Sequence, residues 1–240
     1  MAIDNRTQRH LSCFVRMLKE PSSSLRRLFS LWCLVLFMML IIFVGGLTSY
    51  AAAPLMDLSS WNPEHEGVVQ LSGQWQLYPN QLIHPENFLQ DHTSLPGQAS
   101  YPITIPGEMD PASASDFGME SQGGATLHLQ LKTDGQPRSY GMTFRYFASA
   151  NDIWVNGNHL GGAGQVGLTK NDFTPHYLPQ EVFFHDDTGQ LDIVVHVANF
   201  HHRRIRFSEV FFGTAEEIHQ HIQGKVAWES LLMGSLLIMI

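Results

Sequence analysis

From Leu28 to Ala53 the chain carries no charged side chain, and this stretch constrains everything on either side of it. Its first twenty residues, Leu28 to Leu47, are apolar except for Ser30, Gly45 and Gly46. At about 1.5 Å per residue such a helix spans about 30 Å, the thickness of a bilayer's hydrocarbon. The charges divide around it. Six of the 14 Lys and Arg residues and two of the 22 Asp and Glu residues precede Leu28, a net of +4. The remaining eight basic and 20 acidic side chains lie beyond it, a net of −12. The whole-chain net charge of −8 is therefore an average over parts that meet different solvents.

Basic residues on the N-terminal side of an apolar span hold that end in the cytoplasm. The expectation is a basic cytoplasmic tail over residues 1–27, a transmembrane helix or signal peptide over 28–48, and export of the chain beyond residue 48. In a bacterium this places the chain in the inner (cytoplasmic) membrane, with its main domain in the periplasm and the lipid bilayer as a partner. Ser49-Tyr50-Ala51-Ala52-Ala53 supplies the small residues a signal peptidase reads, so anchoring and cleavage both stand open. At the other end Leu231 to Ile240, LLMGSLLIMI, is apolar again. Ten residues are too few to span, and the segment reads as the first half of a second transmembrane helix. Both cysteines, Cys13 and Cys33, lie in or before the first apolar run, so the exported part has no disulfide. A domain of about 170 residues can bury enough core without one. Its acidity argues against a nucleic-acid partner, whose contact surface would be basic.

Between Pro54 and Gly213 the pattern changes to short alternating runs separated by Gly, Pro, Asn and Asp. Leu127, Leu129 and Leu131 alternate with His128, Gln130 and Lys132. Leu191, Ile193, Val195 and Val197 alternate with Asp192, His196 and Ala198, with Val194 the exception, and Met142, Phe144 and Tyr146 alternate with Thr143, Arg145 and Phe147. Period two places one face in a core and the other toward solvent or a second layer. Asn156-Gly157 between two strand-like arms marks a tight hairpin, because a primed turn needs positive φ at both central residues. Six to nine such strands close most naturally as an all-β jelly-roll β-sandwich over residues 54–213. Thr214-Ala215-Glu216-Glu217 then fits a capping box. Ile218, Ile222 and Val226 give the helix that it opens a single apolar stripe, so residues 214–240 read as a juxtamembrane helix entering the second membrane segment.

The succession Leu71-Ser72-Gly73-Gln74-Trp75-Gln76-Leu77-Tyr78, Ile105-Pro106-Gly107, Gly124-Ala125-Thr126-Leu127, Ile153-Trp154-Val155-Asn156-Gly157, Gly164-Gln165-Val166-Gly167 and Val197-Ala198-Asn199-Phe200-His201-His202-Arg203 resembles one periplasmic module. That module is the N-terminal sensor domain of bacterial seven-transmembrane receptors with diverse intracellular signalling modules. Its fold is similar to the galactose-binding-like jelly roll that opens family 2 glycoside hydrolases. The resemblance covers residues 61 to 213 and the start of the membrane region. It implies a ligand sensor followed by seven helices and an output such as a histidine kinase or diguanylate cyclase, beyond Ile240. The family often carries paired glycines after the Asn-Phe-His-His-Arg segment; here Arg204-Ile205-Arg206 intervenes, so the conformation of this loop does not carry over.

Two groups of residues are candidate ligand contacts. If Ile153 and Val155 face the core, Trp154 faces outward beside Asp152 and Asn156, where an indole can stack on a sugar ring while carboxylate and amide hold hydroxyls. The competing reading is that Trp154 packs under a neighbouring loop and that Asn156-Gly157 is simply a turn. The second group is His201, His202 and Arg203, with Arg204 and Arg206 beside them. In an acidic domain this cluster can receive a carboxylate, a phosphate or anionic lipid heads. It can equally compensate surface charge.

Twelve of the 13 histidines lie beyond the start of the first apolar run, which makes pH sensing one candidate role. Their local spacing builds no metal site, since His219 and His221 point about 200° apart on a helix. No nucleophile elbow, zinc-protease motif or phosphate loop is present. Asp186-Asp187 and Glu216-Glu217 are adjacent pairs, and glycosidases need carboxylates on opposite sides of a cleft. The sequence therefore points to a binding module rather than an enzyme, with no cofactor and no metal. Its expected ligand is a small molecule, a carbohydrate or a small anion. A structural module that docks a periplasmic protein or a second copy stays open beside it, and a carbohydrate-active enzyme ranks last.

Overall fold

A computed structural model describes residues 54–90, 98–119 and 122–224. The chain divides into two units, 1–50 and 51–240, of which the first lies outside the described residues. The expected tail, first membrane segment and second membrane segment likewise fall outside them. Among the described residues no helix is long and apolar enough to cross a membrane.

In chain order the strands are β1 (Leu55–Asp57), β2 (Val69–Gln70), β3 (Gly73–Pro79), β4 (Tyr101–Ile105), β5 (Gly107–Met109), β6 (Gly123–Lys132) and β7 (Arg138–Phe144), then β8 (Ala150–Val155), β9 (Asn158–Ala163), β10 (Gln180–Asp186), β11 (Gln190–Asn199), β12 (Ile205–Phe207) and β13 (Val210–Thr214). Three short helices interrupt them: α1 (Pro63–Glu66), α2 (Glu86–Gln90) and α3 (Pro111–Asp116). A fourth, α4, opens at residue 215 and is described to residue 224.

The strands form an all-β, sandwich-like fold. A seven-stranded sheet runs β4-β3-β6-β11-β8-β9, with β1 parallel to the far end of β6. A four-stranded sheet runs β10-β7-β13-β2, and β5 pairs with β12 in a small third sheet. Every pairing except that of β1 is antiparallel. One contiguous core takes Trp75, Leu127, Leu129, Ile193 and Val195 from the large sheet and Tyr140, Met142, Phe144 and Phe212 from the smaller one. Most of these are the period-two residues of the sequence, and burying each large side chain contributes about 1.5–3 kcal/mol.

Two features depart from simple alternation. The outward residues of β6 and β11 are buried too, because the segment after β3 crosses back over the sheet and uses them as anchors. Thr126 Oγ1 accepts the Ile83 N–H (2.9 Å) and donates to the Gln81 carbonyl (2.8 Å). His196 Nε2 lies 2.7 Å from the Ile83 carbonyl, and Phe88 stacks on His128 with centroids 4.2 Å apart. Val194, the apolar residue out of phase, packs here with Tyr78, Ile83 and Phe88. The second departure is Tyr146. It belongs to the alternating set, yet β7 ends at Phe144, and it is Phe147 that turns into the core while Tyr146 is 52% exposed.

The capping box forms as the sequence predicts. The Thr214 N–H donates to Glu217 Oε2 (3.0 Å), and the Glu217 N–H donates to Thr214 Oγ1 (3.3 Å). The first turns of α4 lie against the outer face of the four-stranded sheet, with Ile218 fully buried and the Phe211 and His221 rings 4.9 Å apart. Glycine makes that approach possible. A Cβ on Gly141 would stand 2.9 Å from the Phe183 ring and 3.1 Å from Ile218 Cβ, tighter than normal packing allows.

Candidate ligand-binding site

The two candidate groups occupy different places. On β8, Ile153 and Val155 point into the core and Trp154 points outward, as the alternation requires. It is half-buried there, packed on the Val194 cluster with its ring 4.3 Å from that of His196 and 5.0 Å from that of His159. Asp152 beside it pairs with His159 (3.2 Å). Burial holds the His196 imidazole below its ordinary value of 6.5, outweighing the hydrogen bond to Ile83 and the attraction of Asp152, which both favour the cation. Asn156 and Gly157 have φ of 47° and 78°, the primed turn the sequence predicts. The Asn156 side chain is engaged with backbone: Oδ1 accepts the Asp192 N–H (2.8 Å) and Nδ2 donates to the Gln190 carbonyl (3.2 Å).

The second group borders a cavity of about 330 Å³ at one end of the sandwich, at the small end of the range for ligand pockets. Four segments meet there: the chain between β7 and β8, the connection before β10, the end of β11, and β12. Its floor is polar and rigid. Ser149 and Asn199 are buried, and Ser149 Oγ donates to Asn199 Oδ1 (2.7 Å). Asn199 Nδ2 donates to the His202 carbonyl (2.6 Å), while its Oδ1 also accepts the His202 N–H (3.1 Å). These bonds fix the loop that carries the histidines.

The walls are aromatic and cationic. Tyr146 and Tyr177 are about half exposed, and the Tyr177 hydroxyl lies 2.8 Å from His202 Nε2. Arg204 and Arg206 line the cavity and both reach Glu108 on β5, at 2.8 Å and 3.4 Å. The Arg204-Ile205-Arg206 insertion is thereby accounted for. It leads into strand β12, with Ile205 in the core between two outward guanidiniums.

Of the candidate residues, His202 lines this cavity, whereas Asp152, Trp154, Asn156, His201 and Arg203 do not. His201 is exposed and meets Phe173 edge-on at 5.5 Å, and Arg203 is exposed on the same loop. Tyr146, Ser149, Tyr177 and Asn199 are contacts that sequence reasoning does not single out. Only Asn199 carries a local signal, as the polar residue closing an apolar strand beside the basic cluster. Chemically, the site offers aromatic faces, a hydroxyl, an imidazole and guanidiniums around a fixed amide. Among the described residues no carboxylate lines it, and no three His, Cys, Asp or Glu side chains are grouped to hold a metal ion.

No family model matches the chain, and no curated protein does. Among solved structures it is similar to a GH2 beta-galacturonidase from Eisenbergiella tayi bound to glycerol, at 12% identity and a TM-score of 0.42 over 60% of this chain and 24% of that one. A Ruminococcus gnavus beta-glucuronidase aligns at 13% identity and a TM-score of 0.40 over 60% of this chain and 28% of the other. An uncultured Clostridium sp. beta-glucuronidase gives 12% and 0.41 over 61% and 29%. The chain thus spans between a quarter and a third of these solved chains.

Proposed function

We propose that residues 54–213 are the ligand-binding module of a membrane-anchored bacterial receptor, a galactose-binding-like jelly roll held in the periplasm, and that it binds without turnover. The observation that carries this reading is the cavity itself. It has a polar floor fixed by Asn199, stacking faces at Tyr146 and Tyr177, and cations at Arg204 and Arg206, a set suited to a carbohydrate or small anion. The uncharged run from Leu28 supports the membrane anchor, and the acidity of the remainder supports export.

Connectivity supports signalling. Strand β12 forms one wall of the cavity, Ser208 and Glu209 join it to β13, and β13 ends at the Thr214 cap of α4. A ligand that pulls on Arg204 or Arg206 acts on a segment ten residues or fewer from the helix that leads toward the second apolar run.

Thermal unfolding of the full chain in detergent, with neutral sugars, acidic sugars, phosphate and sulfate in turn, tests the proposal. A ligand at about a hundred times its Kd adds about 2.7 kcal/mol, which for a domain of this size raises Tm by about 5 to 10 °C. No shift with any class would remove small-molecule binding as the function.

A further inference from the structure

We infer that the ligand of this cavity is an acidic sugar, held by its carboxylate between Arg204 and Arg206. The inference rests on the cavity being the ligand site and goes further, to the charge and shape of what enters it.

The two guanidiniums already hold one carboxylate. Arg204 Nη1 meets one oxygen of Glu108 at 2.8 Å and Arg206 Nη2 meets the other at 3.4 Å. This arrangement is set by the backbone, because Arg206 and Glu108 are direct partners in the β5–β12 ladder and Arg204 stands two residues back on the same face. Each guanidinium has five N–H donors in a planar fork, and the Glu108 contacts engage a single nitrogen of each. The other donors of these two cavity-lining residues can meet a second carboxylate, or a ligand's carboxylate takes the place of Glu108.

Charge balance selects a monoanion. Arg203, Arg204 and Arg206 are set against Glu108 and Asp110, and the Asp110 carboxyl is held below the usual range chiefly by the Ser113 N–H at the start of α3, with Arg204 adding to the effect. One surplus positive charge matches one carboxylate better than a phosphate dianion. The remaining walls select a ring: two half-exposed tyrosines to stack on it, and the Tyr177 hydroxyl and His202 imidazole to meet its hydroxyls.

Titration calorimetry on the full chain in detergent, with D-galacturonate, D-glucuronate, D-galactose, D-glucose, acetate and inorganic phosphate as probes, tests the inference. At least one uronate should bind about tenfold or more tighter than its neutral sugar, and tighter than acetate or phosphate. Glu108→Gln, at an exposed pair, should strengthen uronate binding several-fold and leave neutral sugars unchanged. Arg206→Gln should weaken uronates alone. Equal binding of neutral and acidic sugars, or tighter binding of phosphate, would overturn the acidic-sugar inference while leaving a small-ligand site in place. Binding of no probe would overturn both. The comparison among wild-type affinities needs no variant to fold.

Discussion

At the scale of single residues, the outer face of the large sheet is held by polar groups that a solvent-facing position would not need. His196 is buried under Trp154 and the Ile83 segment, and burial favours its neutral form. Its folded pKa lies below the unfolded 6.5, so the unfolded state binds the proton more readily. The stability it contributes is complete above 6.5 and is lost as the pH falls from there through the lowered folded value. An NMR titration should therefore place the His196 midpoint below 6.5, and a midpoint at or above that value would contradict the burial argument. His128 and Asp192 form a buried pair at 3.0 Å. Asp192→Ala leaves the imidazole Nε2 without this partner, and urea unfolding should register a loss of about 1–3 kcal/mol.

At the scale of elements, alternation reports which residues face away from water, and it does so faithfully for Leu127, Leu129, Ile193 and Val195 because nothing but the core can receive them. It does not report what covers the opposite face. The segment over His128, Asp192 and His196 has no period of its own; its signal lies in contacts between residues as distant in sequence as Ile83 and His196. Tyr146 shows the same limit, since alternation continues through it while the strand stops at Phe144. Local signals fare better. The Asn156-Gly157 turn and the Thr214 capping box are determined within four residues, and both form where the sequence places them. The candidate site is legible in the sequence only as a basic cluster, because its aromatic walls arrive from two other connections. Thr214→Ala should cost about 1 kcal/mol in chemical unfolding. Gly141→Val, which drives a side chain into Ile218 and Phe183, should cost about 1–3 kcal/mol and expose α4 to faster amide exchange. Unchanged exchange in α4 would contradict the packing of that helix on β7.

At the scale of the whole molecule, the −12 carried after the apolar run makes the arginines near β12 an exception to the domain around them. The cavity places that exception beside two exposed tyrosines and a few residues before α4. The central claim is that this end of the sandwich, and not the Trp154 face, receives the ligand. Chemical-shift mapping of the isotopically labelled full chain in micelles, titrated with D-galacturonate, tests it most directly. The account predicts saturable shifts at Tyr146, Tyr177, His202 and Arg206, extending along β13 to Thr214. Saturable shifts centred on Asp152, Trp154 and His159 instead, or none anywhere, would contradict it.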